Sequence, residues 1–133
     1  MRIFSLVAVA AMTISLGSCT SIQTLQKLSS TNVPTTAISA AAEGTNVAEI
    51  SAKNYLLFCA PVPLPKGCDD TLIKTKIIPA VKGVQVARTA ARTFIANNPG
   101  ATLGPSTLVS AVTTAVTTLQ TILTQNNIPV ASK

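Results

Sequence analysis

Three stretches of the chain repeat their apolar residues at intervals of four and three, the spacing of one face of a helix. In the first, Val33, Ala37, Ala40, Gly44, Val47, Ser51, Asn54 and Phe58 align, with Ala41, Ala48 and Tyr55 widening the stripe. This predicts a helix over about 33–58, with Gly44-Thr45 as its weak point and the place for a break. In the second, Ile73, Ile77, Ala80, Val84, Ala87, Ala91 and Phe94 align, predicting a helix over about 70–97. Asp69 and Asp70 stand where a cap and first-turn acid belong. Pro79 interrupts this pattern and leaves two outcomes: a kink, or a short first segment after which Pro79 opens the main helix.

The third stretch is rich in Val, Thr and Ile, a composition that suits strands. Its spacing says otherwise. Apolar pairs alternate with polar pairs through Ala111-Val112-Thr113-Thr114-Ala115-Val116-Thr117-Thr118, a period near four rather than two. Leu108, Val112, Ala115, Leu119 and Ile122 form the stripe, predicting a helix over about 106–126 that Asn126, Asn127 and Pro129 end. Asn97-Asn98-Pro99-Gly100 is a dense turn signal, and Gly104-Pro105-Ser106 starts the last helix. The expected fold is therefore all-α, a small three-helix bundle over 33–133.

Ahead of this domain the pattern changes. Met1 and Arg2 precede an uncharged apolar run, Ile3 to Leu16, too short for a comfortable bilayer crossing and matching the core of an export signal. The run ends in Leu16-Gly17-Ser18-Cys19, which resembles the lipobox of bacterial lipoproteins. The resemblance covers residues 1–19 and no more. It implies a signal peptide over 1–18, cut before Cys19, with diacylglyceryl on the thiol and usually a further acyl chain such as palmitate on the new amino terminus. Two or three acyl chains give the stable anchoring that one cannot. The competing reading is an ordinary export signal with Cys19 a bystander. Thr20 is not the Asp that favours inner-membrane retention in Gram-negative lipoproteins, so the resemblance implies the periplasmic side of the outer membrane. Residues 19–32 then form the lipidated cysteine and a polar, flexible tether.

Three cysteines are an awkward number for an oxidising compartment. With Cys19 spent on lipid, Cys59 and Cys68 remain and are expected to pair within one loop. The segment between them carries prolines at 61, 63 and 65, which forbid helix, so the chain must fold back, most easily at Lys66-Gly67. A proline-rich run also suits docking into aromatic grooves, but a structural clip is preferred because cytosolic-type proline readers are not expected in the periplasm.

Composition narrows the function. The chain is 47% hydrophobic and 11% charged, with no His and no Trp among its 133 residues. Without His there is no imidazole base and no Ser-His or Cys-His nucleophile pair. The acids number only four, Glu43, Glu49, Asp69 and Asp70, and no zinc spacing or phosphate-cradling glycine loop occurs. Ser51 and Lys53 are two apart and do not face each other on a helix. The expectation is a non-enzyme with no metal and no cofactor beyond the lipid on Cys19.

The formal charge is +6. An exported protein rarely meets nucleic acid and stacking aromatics are scarce, so anionic lipid or acidic polymer is the expected counterpart. Lys74, Lys76, Lys82, Arg88 and Arg92 follow one another with no acid between. At 100° per residue Lys74, Lys82, Arg88 and Arg92 would share a side, a candidate contact for an anionic surface set against the plainer reading of a solvated face. From Thr93 to Ser132 no residue is charged, so the helix over 106–126 is expected to meet a partner protein of the envelope, a second copy or lipid. Thr, Ser and Gln recur in it, which makes it a poor membrane span.

Two functional readings follow. The first is a non-catalytic, membrane-anchored periplasmic lipoprotein that binds or scaffolds another envelope component. The second is a lytic or membrane-active role, since an N-terminal lipid with an apolar C-terminal segment resembles in outline the unimolecular spanins of phages. The departure is the missing true C-terminal transmembrane helix.

Overall fold

The computed structural model describes residues 31–130. The expected signal peptide over 1–18, the expected lipidation position Cys19 and nearly all of the expected tether lie outside the described residues. The fold is an all-α three-helix bundle with a two-stranded ribbon at one end and a disulfide-clipped loop at the other.

The first rod is in two pieces, α1 (Thr35–Glu43) and α2 (Asn46–Phe58). The break falls at Gly44-Thr45, the weak point of the sequence. Both residues keep right-handed helical backbone, so the interruption is a loosened turn rather than a loop. Buried Thr45 closes it, its Oγ1 donating to the Ala42 carbonyl at 3.0 Å.

The second rod starts with a single turn, α3 (Asp70–Leu72), capped by Asp69, whose Oδ1 accepts the Leu72 N–H at 3.0 Å. A π-helical turn, Ile73–Ile77, follows, and then α4 (Ile78–Asn97) with Pro79 in its first turn. Of the two expected outcomes the second holds, a short first segment with Pro79 in the opening turn of the main helix, but the two are joined by the π turn and not parted by a break. Proline has no N–H and its ring collides with the carbonyl four residues back. The wider π turn, in which Ile78 N–H reaches back to the Ile73 carbonyl, makes room for it. The third rod is α5 (Ser106–Gln125).

The ribbon is a feature the periodicity did not announce. Residues 32 and 33 were expected as tether and helix start, and Gly104-Pro105 as the first turn of the last helix. Instead β1 (Asn32–Pro34) pairs antiparallel with β2 (Leu103–Pro105), Val33 opposite Gly104. Pro34 and Pro105 favour extended backbone, and helices begin immediately after each. Gly104 is buried, and a Cβ there would overlap the Phe94 ring and lie 2.6 Å from Ile38 Cδ1. Only glycine lets β2 sit so close to the bundle.

The core has two tiers. At the ribbon end, Val33, Ile38, Ala42, Ala91, Val109 and Val112 are buried together. At the loop end, Ala48, Ala52, Ile77, Val84, Leu119, Leu123 and Ile128 are buried together, and Val116 packs against both tiers. The second and third stripes of the sequence face this core as expected. The first does so in part: Val33 and Ser51 of the expected line and Ala48 beside it are buried, but most of the buried line runs through Ile38, Thr45, Ala52 and Cys59, one residue later than Ala37, Gly44, Ser51 and Phe58. Ala40, Asn54 and Phe58 are consequently on the surface.

Candidate functional site

Cys59 and Cys68 are joined by a disulfide, with Cα atoms 5.6 Å apart. The chain between them turns at Gly67, whose φ of +92° is open to glycine and strained for other residues. A latch holds the turn to α2: Tyr55 donates its hydroxyl proton to the Gly67 carbonyl at 3.1 Å and accepts the Asp69 N–H at 3.4 Å. The loop itself stands out from the bundle. Val62 is 94% exposed, and Leu64 and the two residues before the clip, Leu57 and Phe58, are exposed as well.

Beside the latch, a cavity of about 430 Å³ opens between α2 and the segment after α5. Asn54, Tyr55, Phe58, Asn127 and Ile128 are among its walls, and none of the described lining residues is charged. Asn127 takes a left-handed backbone, φ 54°, as the chain leaves α5, and Ile128 N–H returns to the Leu123 carbonyl at 2.9 Å, closing the helix end.

The cations of the second rod do not form the free stripe that the sequence suggested. Arg88 pairs with Glu49 of α2, with the two side chains 23% and 15% exposed. Arg92 pairs with Glu43 of α1 at 3.0 Å, and Lys74 with Asp70 four residues earlier at 2.6 Å. The π turn also shifts the phase between Lys74 and the residues of α4. Of the four expected contact residues, Lys82 alone has no carboxylate partner among the described residues. No acid separates these cations in sequence, but two acids reach them from the neighbouring rod. Glu49 Oε1 is buried without a hydrogen-bond partner among the described residues, so that carboxylate depends on Arg88 through its other oxygen.

The uncharged helix α5 turns its apolar stripe inward: Val109, Val112, Leu119 and Leu123 are buried. Thr107, Ala111, Thr114, Thr118, Thr121 and Gln125, again four and three apart, are exposed. Thr118 and Thr124 spend their hydroxyls on the carbonyls of Thr114 and Gln120, at 2.8 and 2.9 Å. At those two positions the side-chain hydroxyl is already bonded within the helix. By length and composition alone, Ser106–Gln125 is apolar enough to cross a bilayer. Among the described residues no three His, Cys, Asp or Glu side chains gather to hold a metal ion. No family model matches this chain, and no curated protein or solved structure matches it, so its function is read from its own residues.

Proposed function

We propose that the protein is a non-catalytic lipoprotein of the bacterial envelope, anchored through Cys19 at the periplasmic side of the outer membrane, whose helical domain binds or scaffolds another envelope component. The observation that carries this reading is the disulfide between Cys59 and Cys68. Such bonds persist in exported proteins, and this one leaves Cys19, in Leu16-Gly17-Ser18-Cys19, as the single odd sulfur. The small leader agrees with an exported protein, and the absence of His removes the side chain most often used as a catalytic base. No cofactor other than the covalent lipid enters the reading. The contact with an envelope partner, or with a second copy, is assigned to the uncharged outer face of α5. The cations on α4 serve mainly to hold the first two rods together.

Intact mass and peptide mapping of the protein from its membrane test the anchor. The expected mature N-terminus is an acylated Cys19. An unprocessed leader, or a mature end elsewhere, overturns the location and the cysteine assignment together.

A second reading, a spanin-like membrane-active role, draws on the length and apolar composition of Ser106–Gln125. It requires α5 to leave the bundle, exposing Val109, Val112, Leu119 and Leu123. Carbonate extraction of a Cys19→Ala form separates the two: release supports the lipoprotein reading, and retention supports the membrane span.

A further inference from the structure

The large apolar side chains on the surface are unevenly placed. Among the described residues seven are exposed: Leu57, Phe58, Val62 and Leu64 belong to the clipped loop or the turn leading into it, at the end of the bundle opposite the ribbon, whereas Ile50, Val86 and Leu103 are spread over α2, α4 and β2. We infer that this loop is a wedge that enters the headgroup region of an anionic bilayer, a membrane contact separate from any lipid on Cys19.

Rigidity is the first argument. The disulfide, the Tyr55 latch onto Gly67 and Asp69, and prolines at 61, 63 and 65 hold the tip in one shape, so little ordering entropy opposes insertion. Polar bookkeeping of the backbone is the second. Hydrocarbon and the acyl boundary offer few acceptors, so every unpaired N–H raises the cost of entry. The three prolines carry no N–H. Ala60 N–H is bonded to the Leu57 carbonyl at 3.3 Å and Cys68 N–H to the Pro65 carbonyl at 3.2 Å. Among the described residues the N–H groups of Val62, Leu64, Lys66 and Gly67 have no partner, and phosphate and ester oxygens at the headgroup boundary can accept them. A groove on another protein places no such demand on the prolines.

Charge is the third. Lys66 in the loop and Lys53 on α2 are exposed and have no acid partner among the described residues. The acids nearby are already engaged, Asp69 with the Leu72 N–H and Asp70 with Lys74. Apolar tips flanked by cations are the arrangement that binds the boundary between acyl chains and anionic headgroups.

The chain contains no Trp, so Val62→Trp is a sole reporter at the tip. The full-length protein carrying it is reconstituted in phosphatidylcholine vesicles with or without phosphatidylglycerol, and with lipids brominated near the acyl carbonyls. In the anionic vesicles the expected result is blue-shifted emission and about twofold or greater quenching by the brominated lipid. Without phosphatidylglycerol, or with Leu64→Asp added, both effects fall. Emission that stays water-like and unquenched in anionic vesicles overturns the wedge. A blue shift that rises with protein concentration in the absence of vesicles also overturns it and assigns the tip to a second copy. Leu64→Trp, at another exposed position, repeats the measurement independently, and far-ultraviolet circular dichroism checks that each variant is folded. The reporter reads the loop alone, so a failed anchor at Cys19 leaves the result intact: the protein is then added to vesicles from solution.

Discussion

Arg88 of α4 and Glu49 of α2 meet across 39 residues of sequence and are the most enclosed ion pair among the described residues. Six residues back along α2 and α1, Glu43 meets Arg92, four residues further along α4. One partner's number falls as the other's rises, the mark of antiparallel rods. The acids of the first rod therefore set the sliding position of the second.

Removing Arg88 is expected to cost stability because Glu49 then keeps neither oxygen paired. Arg88→Met should lower the unfolding free energy by about 1–3 kcal/mol, and Glu49→Gln added to it should recover part of the loss. Arg92→Ala breaks an exposed pair and should change stability by less than about 1 kcal/mol. Urea unfolding followed by circular dichroism distinguishes the two. Equal costs for both arginines would contradict the enclosed role of Glu49.

Gly104→Ala and Gly83→Ala should have opposite signs. A methyl at 104 runs into Phe94 and Ile38, so a loss of about 1–3 kcal/mol is expected. Gly83 lies within α4 with open space where its Cβ would be, and alanine there should add about 0.5–1 kcal/mol. Thermal melts of the two variants are enough to read the difference.

Thiol counting joins the disulfide to the anchor. Unfolded protein isolated from the membrane should bind no thiol reagent before reduction and two equivalents after it, from Cys59 and Cys68. Three equivalents after reduction would mean that Cys19 carries no lipid. A Cys59→Ser, Cys68→Ser variant should be less stable by up to about 2.5–3 kcal/mol, less because the prolines already restrict the unfolded loop.

Lysines placed on the outer face of α5 test the proposed contact there. Thr114→Lys and Thr121→Lys project from exposed positions and should change stability by less than about 0.5 kcal/mol each. Leu119→Ala, fully buried, should cost about 2–5 kcal/mol. If α5 is the contact face, the lysine variants should lose co-purification of a cross-linked envelope partner, or of a second copy, while remaining folded. Undiminished cross-linking would move the contact elsewhere.

Legibility in the sequence followed side-chain size. Ile77, Val84, Leu119 and the residues in step with them mark two helix faces without ambiguity, and both point to the core. In the first rod alanines lie on several sides of the axis, at 37, 40, 41, 42, 48 and 52, so a four-three line can be drawn in more than one phase. Ile38 and Cys59 fix the true phase, and Phe58, the more conspicuous residue, is left 57% exposed. The ribbon was not readable at all, because strands of three residues, some seventy positions apart, carry no period. Pro79 signalled a disturbance but not that a π turn would absorb it. The pairing of Arg88 and Arg92 was not readable, because the acids that reach them, Glu49 and Glu43, are their neighbours in space and not in sequence. The clipped loop was the most legible part, since ten residues with two cysteines and three prolines leave few shapes open.

The ribbon has a mechanical consequence. Thr31 accepts the Ser106 N–H at 3.0 Å, and Thr35 N–H reaches the Thr102 carbonyl at 3.0 Å, so the start of the domain is laced to the entrance of its last helix. A tug arriving from the N-terminal side cannot unzip α1 one turn at a time. It must shear several hydrogen bonds at once, and the load is shared between the first and last rods. A domain moored at that corner would yield abruptly under tension rather than fray.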